Sequence, residues 1–304
     1  MPRIVSLLPS STEVVCALGR EAELVGRSHE CDYPASIRHV PVCCEPKFKT
    51  EGTSLEIHER VQRIVEKSLS VYRVDAEKLK ALRPDVILTQ DHCQVCAVSL
   101  DDVKIAVKDW LGTAPEIVTL KPDALADVWK GMQRIADALG CPETAQSLVR
   151  QYRQRMDTIA QKSRELQRTS IGCIEWMNPL MMAGNWMPEL IEMAGGLDLF
   201  GVAGQHAPRL TVKTLCEKNP DVLIVMCCGW SLEKNRSQMP VLTSLPGWQD
   251  LKAVQSGRVY LTEGNQYFNR PGPRLVESLE ILAEILHPEV FSFGHLNTGW
   301  QPFK

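Results

Sequence analysis

Eleven cysteines and seven histidines lie in 304 residues, and several sit close together. Cys93 and Cys96 form a Cys-x-x-Cys with His92 beside it, while Cys43-Cys44 and Cys227-Cys228 are adjacent pairs. Thiolate and imidazole are donors for zinc, other soft metals and iron–sulfur clusters, and Cys-x-x-Cys is also the spacing of a redox pair. A structural zinc site needs four ligands at recognisable spacing, and the chain holds no second Cys-x-x-Cys. Adjacent cysteines also serve as small buried hydrophobes. Three readings therefore stay open for Cys43, Cys44, His92, Cys93, Cys96 and Cys228: a metal or cluster site, a thiol-redox centre, or packing. His29 and Cys31, in the loop His-Glu-Cys-Asp-Tyr-Pro, are further ligand candidates.

A second group is made of rings and amides: Gln90, Trp176, Asn185, Trp186, Trp230, Tyr267 and Phe268. Several adjoin Gly, Asn or Pro, which fits the lining of a cleft as well as a core. Catalysis has less support. There is no Gly-x-Ser-x-Gly elbow, P-loop, Gly-x-Gly-x-x-Gly or His-Glu-x-x-His. Glu13, Glu45, Asp91, Glu175 and Glu263 show no spacing that marks an acid/base pair. A non-enzymatic binding protein is expected, with no catalytic residues.

The elements that must position these residues follow from apolar periodicity. Residues 143–168 carry Ala145, Leu148, Val149, Tyr152, Met156, Ile159, Ala160 and Leu166 on one helical stripe, with no Gly or Pro inside. Pro142 suits a first helical position. On each side, short apolar runs alternate with amphipathic stretches. Strands are expected at 3–8, 24–27, 40–42, 85–89, 117–120, 170–176, 221–226 and 258–262. Helix end, Pro-Asp and buried strand recur at 80–88 and at 216–224. This predicts an α/β protein of two Rossmann-like lobes with parallel sheets, joined by one long rigid helix. The expected divisions are an N-terminal lobe 1–121, a linker with the spine helix 122–168, a C-terminal lobe 169–290 and a tail 291–304. One continuous doubly wound sheet is the alternative on length alone. Ligands of open parallel sheets sit beyond the carboxyl ends of the strands, and the sulfur, imidazole and ring residues named above follow expected strands.

A net charge of −3 gives no reason to expect nucleic acid or an anionic membrane as partner. No apolar run approaches the ~18 residues of a membrane span. The opening Met-Pro-Arg-Ile-Val-Ser-Leu-Leu-Pro-Ser-Ser lacks the long apolar core of a secretory signal. A cytoplasmic protein is therefore expected, with cysteines as thiols or ligands and not disulfides.

In order and spacing, several motifs resemble the cobalamin- and iron-siderophore-binding proteins of ABC importers, the helical-backbone class. They are IVSLLPSSTEVVCALG at the start, SHECDYP at 28–34, LKALRPDVIL at 79–88, MNPLMMAGN at 177–185, Gly195-Gly196, NPDVLIV and RPGPRLVESLEILAEIL at 270–286. The resemblance implies a ligand clamped between two lobes, cobalamin or a related corrinoid or metal complex, with aromatics near Trp176 and Tyr267–Phe268. It also implies docking on a membrane partner through one Glu per lobe. Glu77 occupies the first position and Leu197 the second, so docking is expected to be lost and a cytosolic carrier, buffer or sensor to result. A metal or cluster protein using the cleft Cys and His residues, and a thiol-redox enzyme, remain the alternatives.

Overall fold

In the computed structural model, which describes residues 1–67, 70–91, 98, 100–107 and 114–304, the repeated Pro-Asp step does the same work twice. The helix before it ends in a left-handed residue, Arg83 at φ 46° and Asn219 at φ 44°. Proline then prevents helical continuation. The Asp turns back onto the start of the preceding parallel strand: Asp85 accepts from Arg3 N at 2.7 Å, and Asp221 from Ser170 Oγ at 2.5 Å. Each unit thus fixes the register of two neighbouring strands with one carboxylate.

Two compact units are present: Met1–Gly52 with Glu59–Pro122 and Ala126–Arg150, and Thr53–His58 with Asp123–Leu125 and Gln151–Lys304. The first contains β1 (Ile4–Ser6), α1 (Pro9–Ala17), β2 (Leu24–Arg27), β3 (Cys44–Pro46), most of α2 (Ser54–Val65), β4 (Tyr72–Val74), α3 (Ala76–Leu82), β5 (Val86–Gln90), α4 (Leu100–Val107), β6 (Glu116–Leu120) and all but the first residue of α5 (Leu125–Ala138). Its main sheet has the order β2-β1-β5-β6, with every pairing parallel. β1 and β5 are buried at every residue, as strands covered on both faces must be. The expected strand at 40–42 is reduced to a single bridge between Arg27 and Val42. The chain instead forms β3, antiparallel to β4. β4 has only three residues, Tyr-Arg-Val, between two helices, too short to give a period.

The long helix is α6 (Pro142–Ser163), and it runs continuously from the first unit into the second. The second unit adds β7 (Thr169–Trp176), β8 (Met181–Met182), α7 (Met187–Met193), β9 (Gly196–Asp198), α8 (Val212–Lys218), β10 (Val222–Val225), α9 (Leu232–Gln238), α10 (Pro240–Thr243), α11 (Lys252–Gln255), β11 (Val259–Thr262), α12 (Leu275–Leu286) and β12 (Trp300–Pro302). β7, β10 and β11 are parallel neighbours. The sheet is mixed, because β8 and β12 pair antiparallel at its margins. Residues 291–304, expected as a surface tail, therefore supply a strand. α12 is buried at every residue but Glu277.

Candidate functional site

In the first unit, β1, β2 and β5 run parallel, so their carboxyl ends lie along one edge. Ser28 N bonds Ser6 O at 2.9 Å and holds the β2 exit against β1. His29 follows, half-buried, with Nδ1 at 3.5 Å from both Ser28 Oγ and Cys44 Sγ. Its ring centroid is 5.7 Å from that of Tyr72. Burial lowers the imidazole below its ordinary value, against the raising effect of the Cys44 backbone, so the neutral ring dominates at neutral pH. Gln90 ends β5 and is 7% exposed.

Cys43 and Cys44 of this unit are held as thiols, and Cys31 is enclosed. Cys31 Sγ accepts from Thr12 Oγ1 at 3.0 Å and donates to Ser6 O at 3.8 Å. Cys43 and Cys44 belong to a buried cluster with Val5, Leu7, Tyr72 and Leu79. Burial pushes the Cys43 thiol up to about 11 and raises that of Cys44. A metal-bound thiolate must first lose that proton. Among the described residues no three His, Cys, Asp or Glu side chains converge as a metal-binding group. His92, Cys93 and Cys96 lie outside the described residues.

In the second unit the exits of β7, β10 and β11 share one edge. Trp176 is the last residue of β7 and donates Nε1–H to Ser54 O at 3.2 Å. β10 leads through Cys227, Cys228 and Gly229 to Trp230. Gly229 takes φ 74°, and Trp230 N closes the turn on Cys227 O at 3.1 Å. The Trp176 and Trp230 rings then meet at 5.1 Å with a 51° tilt, an arrangement favoured by the ring quadrupoles. Lys234 Nζ lies 5.2 Å from the Trp230 centroid. Cys228, exposed on this turn, belongs to no group of three His, Cys, Asp or Glu side chains that could hold a metal among the described residues.

After β11, Glu263 is buried and caps α9 by accepting from Leu232 N at 3.0 Å. Tyr267 is half-exposed, with Arg274 Cζ 5.4 Å from its ring centroid. Arg274 also donates to Gln266 Oε1 at 3.2 Å, and Arg270 to Asn265 Oδ1 at 3.0 Å. The edge therefore presents Trp176, Tyr267 and Lys234, each partly exposed, while Trp230, Arg270 and Arg274 are buried at 6%, 7% and 7% exposure. It suits a large flat or apolar ligand with a polar margin, and no acid/base pair stands there among the described residues.

Several expected ligand contacts are corrected by burial. Phe268 has no exposed surface, takes φ 65° and is fixed by its N–H to Ser278 Oγ at 3.0 Å. Trp186 is buried and donates Nε1–H to Phe268 O at 2.8 Å. Cys31 is likewise enclosed. These three are packing residues in this structure. Asn185 is half-buried and serves the backbone: φ is 52°, and its N–H and C=O bond Gln205 O and Gly204 N at 2.6 and 2.9 Å. Lys234 and Arg274, not singled out from the sequence, lie over the Trp230 and Tyr267 rings, and Arg270 is bonded nearby to Asn265. The signal for them was present: a Lys four residues after a tryptophan, and Arg-Pro-Gly-Pro-Arg just beyond a strand exit.

Known proteins agree with this geometry. The chain is 23% identical over 295 residues, covering 95% of this chain and 81% of the relative, to an uncharacterised ABC transporter substrate-binding lipoprotein of Bacillus subtilis. It is 23% identical over 290 residues, 93% of this chain and 88% of the relative, to a vitamin B12-binding protein of Vibrio cholerae. The fold matches a periplasmic heme-binding protein of Pseudomonas aeruginosa at TM-score 0.71 and 20% identity, covering 95% of this chain and 94% of the other. It matches the V. cholerae periplasmic vitamin B12-binding protein at 0.66 and 19%, covering 94% and 96%. The expectation of a cytoplasmic protein is overturned by these relatives, which are periplasmic proteins or a lipoprotein. The opening apolar run is indeed the buried strand β1, but a strand carries no information about the compartment. Nor is a catalytic role left open, since the relatives bind solutes for transport. The model for periplasmic binding proteins matches residues 4–265, and the chain belongs to that family of non-catalytic solute-binding proteins.

Proposed function

We propose that the ligand of this protein is cobalamin or a closely related corrinoid, bound for delivery to an ABC importer outside the cytoplasm. The observation that carries the reading is the Trp176–Trp230 pair at 5.1 Å, whose Trp176 ring is partly exposed at the strand exit. Such a shelf takes up the broad apolar face of a macrocycle. Lys234, partly exposed beside Trp230, supplies a donor for the amide-bearing rim of a corrin, and the Vibrio relatives named for vitamin B12 support the choice. Glu77 is exposed in the first turn of α3 and is the docking carboxylate on the first unit. Leu197 in β9 is 47% exposed, so docking on the second unit is apolar. The test is titration of the purified protein with hydroxocobalamin, followed by tryptophan fluorescence and calorimetry, with hemin in parallel. Saturable quenching and heat at micromolar hydroxocobalamin are expected. No quenching and no heat, or saturation by hemin alone, overturns the proposal.

A further inference from the structure

The second unit carries a cavity of about 590 Å³ on the sheet edge opposite to the one that bears Trp176 and Trp230. Three of its lining residues mark the place: Thr169 begins β7, Asp221 directly precedes β10 and Arg258 directly precedes β11. These strands are parallel neighbours, so their amino ends share one edge and the ring-bearing loops leave from the other. Every residue that lines the cavity is polar or charged. Arg168, Lys252 and Arg258 stand there with a single carboxylate, Asp221, which leaves two positive charges in excess. That carboxylate is engaged. Its Oδ2 accepts from Ser170 Oγ, and Oδ1 lies 4.0 Å from Lys252 Nζ, beyond hydrogen-bond reach. The Ser170 bond, with Lys252 and Arg258 nearby, holds Asp221 below the ordinary carboxylate range. Arg168 commits one N–H to Gly196 O at 2.8 Å. Arg258 is half-buried, and its guanidinium makes no hydrogen bond or ion pair among the described residues, although it carries five N–H donors. The backbone beneath these cations is fixed: Lys252 N donates to Asn219 Oδ1 at 2.8 Å, and Arg258 N to Ala253 O at 2.7 Å.

We propose that this cavity is a second binding site, for a soluble, hydrophilic solute that carries more than one phosphate group. The inference is independent of the corrinoid reading, which concerns the other edge of the sheet. The excess positive charge selects an anion. A guanidinium fork matches the paired oxygens of an oxyanion, and an ammonium adds a point charge. A phosphoryl group offers three oxygens and up to two charges, so it satisfies a fork and an ammonium together, where a carboxylate has two oxygens and one charge. The volume falls within the ~300–1,000 Å³ of small-molecule sites. A lone phosphate, only a few times the ~30 Å³ share of a water molecule, leaves most of it unfilled. The lining has no apolar residue on which an acyl chain could rest, which favours a free solute over a lipid headgroup.

The experiment titrates the full chain calorimetrically with inorganic tripolyphosphate in metal-free buffer of low ionic strength, with orthophosphate and citrate in parallel. One saturable site is expected for tripolyphosphate, with orthophosphate and citrate each weaker by about tenfold or more. Arg258→Gln and Lys252→Gln should each weaken tripolyphosphate binding by about tenfold. Neither side chain donates a hydrogen bond within the described residues, so both variants should melt at the wild-type temperature. Lys213→Gln removes an exposed cation that stands outside the cavity, 3.7 Å from Glu217, and should leave the affinity unchanged. Absence of saturable heat in the wild type overturns the proposal, as does full affinity in both Arg258→Gln and Lys252→Gln, or an equal loss in Lys213→Gln. Tighter binding of citrate than of tripolyphosphate overturns the assignment to phosphate. Sedimentation of the wild type, but not of Arg258→Gln, with vesicles of cardiolipin in phosphatidylcholine, without heat from tripolyphosphate, overturns the assignment to a soluble ligand.

Discussion

Glu284→Gln should release the C-terminal segment from the buried helix of the second unit. Glu284 lies on α12 and is 4% exposed. Its Oε1 accepts from the backbone N–H groups of Phe293, of Gly294 at 2.6 Å and of His295 at 3.4 Å. Its Oε2 accepts from Trp300 Nε1 at 2.7 Å. One carboxylate thus fixes the turn that leads into β12 and the first residue of that strand. Glutamine keeps a single acceptor oxygen, so one of the two donor groups must face an NH2. A hydrogen bond to a charged group contributes ~1.5–3 kcal/mol, and a buried donor left unpaired costs ~1–3 kcal/mol. The variant no longer carries the desolvation cost of a buried charge, and the net loss comes to about 3 kcal/mol. At ~2–4 °C per kcal/mol for a unit of this size, the melting temperature should fall by ~6–12 °C. Calorimetry reads the melting temperature, and hydrogen exchange should show faster exchange at the amides of residues 293–300. A melting temperature within about 1 °C of wild type, with unchanged exchange there, would refute the anchoring role.

Three further outcomes follow from the second unit. The Glu280 bond raises His295, so its stabilisation is complete below the unfolded imidazole value and is lost as pH rises through the folded value. Burial raises Glu280, but His295 and Arg155 hold it net below the ordinary range; that contribution exists above the unfolded carboxylate value and is lost as pH falls through the folded one. Denaturant midpoints should therefore peak between the two ranges, and His295→Gln should flatten the alkaline limb; equal limbs in both proteins contradict this. Gly184→Ala places a Cβ 2.5 Å from Gln205 O and 2.6 Å from Ala207 N, both backbone atoms, and should destabilise by ~1–3 kcal/mol; an unchanged urea midpoint counts against it. Trp176→Ala should weaken hydroxocobalamin binding roughly 2- to 12-fold, the equivalent of ~0.5–1.5 kcal/mol for an aromatic pair, whereas Trp176→Phe keeps a ring and should lose ~1 kcal/mol of stability with the Ser54 bond. Equal affinity of wild type and Trp176→Ala would remove the pair from the site.

The sequence alone determined what is periodic or local. β2 falls at the residues its patterning dictates, and the helices α3 and α8 end at the Pro-Asp steps read at 80–88 and 216–224, because strong stop signals bound them. The long helix was legible from Pro142 and its unbroken stripe. Its last turn was not, since Arg164–Arg168 continue the helical pattern in sequence while the chain turns away. The Pro-Asp repeat was visible as letters. That each Asp clamps a strand start across 82 and 51 residues is information only the fold holds.

Tertiary structure decided everything that depends on which face a residue turns to. β3, β4, β9 and β12 are three residues each, below the length at which alternation can be recognised, and they exist because a neighbouring edge offers hydrogen bonds. Cys43 and Cys44 were ambiguous because sulfur packs as well as it ligates; a core of Val5, Leu7 and Leu79 resolves them as packing. Tyr267 and Phe268 are adjacent in sequence, yet the positive φ at 268 turns one ring half outward and encloses the other. Composition carries residue type and spacing, and so reveals which chemistries are available. Exposure is a property of the surroundings, which are assembled from residues remote in the chain, and it determines which of those chemistries reaches a ligand.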